Sequence, residues 1–164
     1  MDINEKLAVV AAQEELLTFE SFTHEDAWEL GKIIVSEAMD KDLHIAIGIR
    51  KVSGLVLFQY SAEGATLNND RWLDRKFNTV KMHENSSLHF AMQLQKQGKT
   101  LADKGLDPTQ YVSCGGGFPI IVQGVGIVAV AMVSGLTDLQ DHEVLVTCLS
   151  KYLAIEDVPR IPLF

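Results

Sequence analysis

The chain has 164 residues, 47% of them hydrophobic and 22% charged, which predicts one folded domain over residues 1–164 rather than a disordered chain. A formal net charge of −8 disfavours sequence-independent binding to nucleic acid. No run approaches the roughly 18 apolar residues of a membrane span, and a signal-peptide pattern is lacking, so we expect no membrane partner and a cytoplasmic protein.

The first half of the chain predicts two helices and a β-hairpin. Apolar residues recur at helical spacing in the first segment, at Ile3, Leu7, Val10 and Leu17. Thr23, with Asp26 three residues later, predicts the capped start of a second helix. Over 43–49 apolar residues then alternate with other residues, which is typical of a strand. A turn at 51–54 leads into a second apolar run at 55–60, so the two runs are predicted to form a β-hairpin.

Two further helices are predicted next. Asn68 or Asn69 is the expected cap of the third helix. Its inward face is predicted to carry Trp72, Leu73, Phe77 and Val80. The fourth helix is predicted from Ser86 or Ser87 to Gln97 and to end at Gly98, because glycine tolerates the left-handed conformation that commonly terminates a helix.

The last third of the chain predicts a return to β-structure. Strands are expected at 111–113, 119–123 and 125–133, and Thr137 with Gln140 has the pattern of a capping box at the start of a final helix. Because short turns join the strands, the predicted fold class is α/β of the α+β type, an antiparallel β-sheet flanked by helices.

The glycine run is the first candidate site. Gly115, Gly116 and Gly117 can turn their N–H groups toward an anion and allow a ligand to approach the main chain. The alternative is a sharp bend, with Pro119 fixing where the next strand begins. Cys114 is a candidate nucleophile, although a free cysteine is more often a buried packing residue.

A second glycine motif is excluded as a nucleotide site. Residues 124–129 match the loose dinucleotide pattern G-x-G-x-x-A. That motif must follow a strand and open a helix, whereas here it opens a run of valine, isoleucine and alanine that is typical of a strand.

The predicted third helix carries a cationic stripe. Its members fall four residues apart and are Arg71, Arg75, Thr79 and His83. Lys76 and Asn78 flank this stripe. In an acidic chain such a stripe can collect an anionic ligand. The alternatives are a solvated face or salt bridges to a neighbouring subunit.

The histidines give a weaker signal. His24 and His44 are expected to be surface or packing residues, and the six-residue spacing of His83 and His89 does not suit a shared metal ion. We therefore predict no metal site. His142 follows the sheet and can reach a pocket as a base or a ligand, or can simply belong to an acidic helix start.

Taken together, three blocks of sequence resemble the haem-degrading-domain family, which includes the GlcG-like and HbpS-like proteins. The blocks span 70–87, 115–120 and 133–142, and the resemblance covers nearly the whole chain. The similarity is greatest to the uncharacterised branch of small stand-alone proteins of bacteria and fungi. The matching positions are Arg71, Lys76, Asn78, Thr79, Gly115, Gly116, Gly117, Phe118, Pro119 and His142.

The resemblance implies an antiparallel sheet of profilin-like or PAS-like outline and a homo-oligomer built from dimers. It implies haem or iron as the cofactor of some members, but no position here matches a haem axial ligand. Whether the chain is an enzyme, and which cofactor it uses, stays open at this point.

Two functional hypotheses follow. The first is an oligomeric small-molecule-binding protein whose ligand is haem, iron or a small anionic metabolite, bound by the matching positions other than Pro119. The second is a non-catalytic assembly or adaptor protein in which the same blocks form subunit contacts. The apolar, proline-containing tail at 155–164 is expected to pack in a groove of its own domain or of a partner subunit.

Overall fold

A computed structural model describes residues 1–163 of the chain. The helices are α1 (Ile3–Leu16), α2 (His24–Asp40), α3 (Leu67–His83), α4 (Ser87–Gln97) and α5 (Asp138–Leu153), and a short 3₁₀ turn spans Ala102–Lys104. The strands are β1 (Ala46–Lys51), β2 (Val56–Ser61), β3 (Gly117–Val122) and β4 (Gly126–Ser134).

The four strands form one antiparallel sheet in the order β2-β1-β4-β3. Alternate residues of β1 and β4 point to opposite faces, because side chains in a strand alternate. One face packs against α2 and α5 around the isoleucines of β1, and the other packs against α3 around Leu73 and Phe77. The predicted fold class, an antiparallel sheet flanked by helices, is confirmed.

Local signals in the sequence account for most helix ends. Thr23 accepts a hydrogen bond from the Asp26 N–H, and Thr137 accepts one from the Gln140 N–H, as both predicted capping boxes require. The α4 helix begins after Ser86 and ends at left-handed Gly98, also as predicted.

Two predictions are wrong, the cap residue of α3 and the strand at 111–113. The cap of α3 is Thr66 rather than an asparagine, and the Asn69 side chain accepts from its N–H. Residues 111–113 are not a strand, and α3 satisfies the backbone of the middle residue: the Thr79 hydroxyl donates to the Val112 carbonyl and accepts from the Val112 N–H, both at 2.9 Å.

The first helix and the tail pack together beside the sheet. α1 lies against α4 around Val10 and Leu88, and Ile161 of the tail is buried in the same cluster. Gln13 donates a 2.8 Å hydrogen bond to the Pro159 carbonyl. The tail therefore packs on its own domain, while Phe164, which belongs to the predicted tail, lies outside the described residues. Among residues 1–163, no helix combines the length and apolarity needed to cross a membrane.

The contact between α2 and β2 gives a test of this fold. A Cβ atom at Gly31 would lie 2.4 Å from the ring of Phe58, so Gly31→Ala forces two packed elements apart. We expect a loss of about 1–3 kcal/mol in the free energy of unfolding, measured by urea denaturation. Ser36→Ala, at an exposed position of the same helix, is the control and should not destabilise. Equal stability of the two variants would contradict the packing.

Candidate functional site

The glycine run passes between α3 and the first turn of α5. A Cβ atom at Gly115 would lie 2.3 Å from the Asp138 carbonyl oxygen, and one at Gly116 would lie 2.4 Å from Lys76 Nζ. Gly116 also has a φ of +117°, which disfavours any side chain. Glycine is required here because the backbone touches a buried charge and a helix end at the same place.

A buried ion pair stands behind the glycines. Lys76 Nζ donates to Asp141 Oδ2 at 2.9 Å and to the Val133 carbonyl at 2.8 Å. The other carboxylate oxygen of Asp141 accepts from the Leu136 N–H at 3.0 Å. Burial raises the pKa of Asp141, while Lys76 and the backbone donors act in the opposite direction. The pair joins α3, the end of β4 and α5.

A cavity of about 210 Å³, which we call the Lys76 pocket, opens beside this pair. It is lined by Asn69, Trp72, Lys76, Cys114, Ser134, Gly135, Leu136, Asp138 and Asp141. Its two carboxylates outnumber its single ammonium group. The charges therefore favour a neutral or cationic ligand over the anion expected from the sequence.

Asp138 and Cys114 also line the Lys76 pocket, but neither belongs to the ion pair. Burial raises the pKa of the Asp138 carboxyl, and no other residue within 1–163 donates a hydrogen bond to its side chain. Burial also raises the pKa of Cys114 to about 11, which leaves its thiol protonated and weakly nucleophilic at neutral pH.

Most of the other predicted site residues are held in contacts within the fold. Arg71 is exposed and does not line the Lys76 pocket. Asn78 donates to the Gln110 carbonyl, and Thr79 bonds the backbone of residue 112. Phe118 is fully buried in the main core, and the Gly117 N–H donates to the Ser87 hydroxyl at 2.8 Å. Of the nine predicted ligand-binding residues, Lys76 alone lines this pocket.

His142 is buried and makes a hydrogen bond within the fold. Its Nε2 atom lies 2.8 Å from the Gln13 side-chain oxygen, and its Nδ1 atom is buried without a partner within residues 1–163. Burial, with smaller contributions from Arg160 and His89, lowers its pKa to about 3. The imidazole is therefore neutral and joins α5 to α1.

A second pairing, which the sequence did not reveal, joins α1 and α4. His89 Nδ1 donates to Glu14 Oε2 at 2.9 Å, and Glu14 Oε1 accepts from the Ser86 N–H at 2.7 Å. Nδ1 is thereby occupied, while Nε2 makes no hydrogen bond within residues 1–163 and is not buried. Spacing within the sequence could not predict this pair, because its members are 75 residues apart.

His89 lines a groove of about 580 Å³ between the two helices, the α1–α4 groove. The α1 side is apolar, and the α4 side presents polar groups four, seven and eight residues after His89. The lining residues are Leu7, Ala8 and Ala11, then His89, Gln93, Lys96 and Gln97. Among residues 1–163, no group of three or more His, Cys, Asp or Glu residues is placed to hold a bare metal ion.

Known proteins resemble this chain in sequence and in fold. A family model described as haem degrading protein HbpS-like matches residues 22–150. A UPF0303 protein of Rhizobium rhizogenes is 38% identical over 95% of this chain and 96% of its own. The crystal structure of the Ybr137w protein has a TM-score of 0.83 at 27% identity, covering 90% of this chain and 87% of its own. A PduOC–haem complex shares the fold alone, with a TM-score of 0.66 at 19% identity, covering 86% of this chain and 99% of its own.

The buried imidazole predicts a specific pH dependence of stability. Because the pKa of His142 is about 3 in the folded chain and 6.5 ordinarily, the unfolded chain binds the extra proton between these values. The contribution of the neutral His142 imidazole to the free energy of unfolding is therefore complete above pH 6.5 and is lost as the pH falls below it. Relative to His142→Gln, the wild type should lose about 2 kcal/mol in the free energy of unfolding by about pH 5. Parallel stability–pH curves from urea denaturation of the two proteins would contradict a buried neutral imidazole.

Proposed function

This chain belongs to the family of HbpS-like haem-degrading proteins, and we propose that it binds haem in the α1–α4 groove with His89 as the iron ligand. The observation that carries the proposal is the 2.9 Å hydrogen bond between His89 Nδ1 and the Glu14 carboxylate. A carboxylate on one ring nitrogen fixes the ring orientation and raises the basicity of the other nitrogen, as at many metal-ligating histidines.

The rest of the groove suits the same ligand. Ala8 and Ala11 are small, so a flat apolar macrocycle can lie close to α1. Lys96 supplies a positive charge for a propionate, and Gln93 adds a polar side chain. When bound, haem would supply an iron that the free imidazole nitrogen of His89 could hold. The described residues offer that nitrogen without any rearrangement of the Glu14 contact.

Haemin titration tests the iron ligand. We expect a saturable Soret shift with the wild type. His89→Ala should lose the spectroscopic signature of imidazole ligation and bind at least tenfold more weakly. Glu14→Gln should bind about tenfold more weakly, because His89 and Ser86 use different oxygens of Glu14 and the carboxamide replaces one of them with an NH2 donor. Added free imidazole should restore the ligation spectrum of His89→Ala.

His24→Ala is the matched control, since it removes an exposed histidine from α2, which does not line the groove. It should titrate like the wild type. Urea denaturation of each variant checks that the fold survives. An unchanged ligation spectrum in His89→Ala would overturn the assignment.

A second ligand site is proposed at the Lys76 pocket, the part of the predicted glycine-run site that remains open to a ligand. Asp138 supports it, because its carboxylate lines the pocket, accepts no hydrogen bond from another residue within 1–163 and gains from a positive group. The volume of about 210 Å³ falls below the roughly 300 Å³ of ordinary ligand pockets. We therefore expect a small cationic ligand with few non-hydrogen atoms.

The fluorescence of Trp72 offers a direct readout of this pocket. The chain has two tryptophans, so Trp28→Phe leaves Trp72 as the single reporter. Methylammonium should change its emission in a saturable way, whereas acetate should not. Asp138→Asn should weaken the methylammonium response at least tenfold. An equal response to both ions, or none to methylammonium, would contradict a cation-binding pocket.

A further inference from the structure

A cavity of about 790 Å³, which we call the α4 cavity, lies beside the Lys76 pocket. It is lined by residues between 88 and 99, by Lys6 of α1, by Ser113 and by residues 137–139 at the start of α5. Asp138 lines both this cavity and the Lys76 pocket, so the two meet at that residue. A ligand whose cationic end occupies the small pocket can therefore extend into the larger cavity.

The α4 cavity is elongated, because it follows the helix that forms its wall. Its lining includes Leu88 near the start of α4 and Gln95 near the end. At a rise of about 1.5 Å per residue, these two positions are about 10 Å apart along the helix. Leu139 packs on the cluster that contains Leu88, which places its neighbour Asp138 at the first end of the cavity.

The opposite end of the α4 cavity is cationic. Glu14 of α1 meets the start of α4 at His89, whereas Lys6 lies two turns earlier in α1 and lines the cavity with Gln95. Lys99 follows the end of α4 directly. Neither Lys6 nor Lys99 forms a salt bridge within residues 1–163. Two ammonium groups are thus available to an anionic group of a ligand.

The wall between the two charged ends is largely apolar. It presents Leu88, Ala91, Met92 and Leu94 of α4. Such a wall suits a methylene chain, which requires no hydrogen bonds. A peptide backbone laid along it would leave N–H and C=O groups without partners, at a cost in free energy.

We infer, on the basis of the cation site proposed for the Lys76 pocket, that its ligand is an unbranched ω-amino acid of about eight carbons. The ammonium group binds beside Asp138, the methylene chain lies along α4, and the carboxylate meets Lys6 and Lys99. An extended eight-carbon chain separates its two end groups by about 10 Å, which matches the length of the cavity. The small volume of the Lys76 pocket limits only the ammonium end. A ligand with no net charge is also not repelled by a chain whose formal charge is −8.

Titration monitored by Trp72 emission in the Trp28→Phe background tests the length and the charges of the ligand. 8-Aminooctanoate should bind at least about tenfold more tightly than octylammonium, which lacks the carboxylate. It should exceed 4-aminobutanoate by a similar factor, because the end groups of that acid are only about 5 Å apart. Lys6→Gln/Lys99→Gln should abolish the advantage of 8-aminooctanoate over octylammonium. Urea denaturation checks that this double variant remains folded.

Lys32→Gln/Lys104→Gln is the matched control, since it removes the same charge from exposed positions that line neither cavity. It should bind every ligand like its parent. Equal affinity of the two double variants for 8-aminooctanoate would overturn the ω-amino acid, as would tighter binding of trialanine than of 8-aminooctanoate.

Methylammonium distinguishes failure of this assignment from failure of the cation site on which it rests. Its response should persist in Lys6→Gln/Lys99→Gln, because neither lysine lines the Lys76 pocket. A normal methylammonium response, combined with no effect of the two lysines on 8-aminooctanoate, would overturn the ω-amino acid alone. No methylammonium response in the parent protein would overturn both.

Discussion

The buried ion pair between Lys76 and Asp141 is the constraint on which the rest of the structure depends. Each charge loses its water, at an effective cost of several kcal/mol per ion, so the pair persists only with further hydrogen bonds around it. The Val133 carbonyl and the Leu136 N–H supply them. The glycine run follows from this arrangement, since any Cβ atom at Gly116 would collide with the ammonium group.

The same turn of α5 extends this constraint to the other side of the molecule. Asp141 reaches α3, while the next residue, His142, bonds Gln13 of α1. Gln13 also holds the tail through the Pro159 carbonyl. With α1 fixed in this way, its next residue, Glu14, meets α4 and orients the imidazole there. The α1–α4 groove is thus a consequence of how the helices are tied to the core.

The two ligand sites proposed for this chain differ in chemistry. The α1–α4 groove combines an apolar side with the His89 imidazole and the Lys96 ammonium group, and the Lys76 pocket combines excess negative charge with a small volume. Because each site has its own chemistry and its own lining residues, haem and a small cation do not compete for the same groups.

The sequence by itself determined the secondary structure wherever its cause is local. Examples are the capping boxes at Thr23 and Thr137 and the change in the spacing of apolar residues from helical to alternating. In these cases the interacting residues are close together in the chain, so their spacing is enough to predict the element. It also singled out the glycine run, but not the reason for it. Only the tertiary structure decided that the backbone of Val112 bonds Thr79 rather than a neighbouring strand, and that Glu14 meets His89. Such contacts join residues far apart in the chain, so they depend on how whole elements pack, which no local spacing specifies.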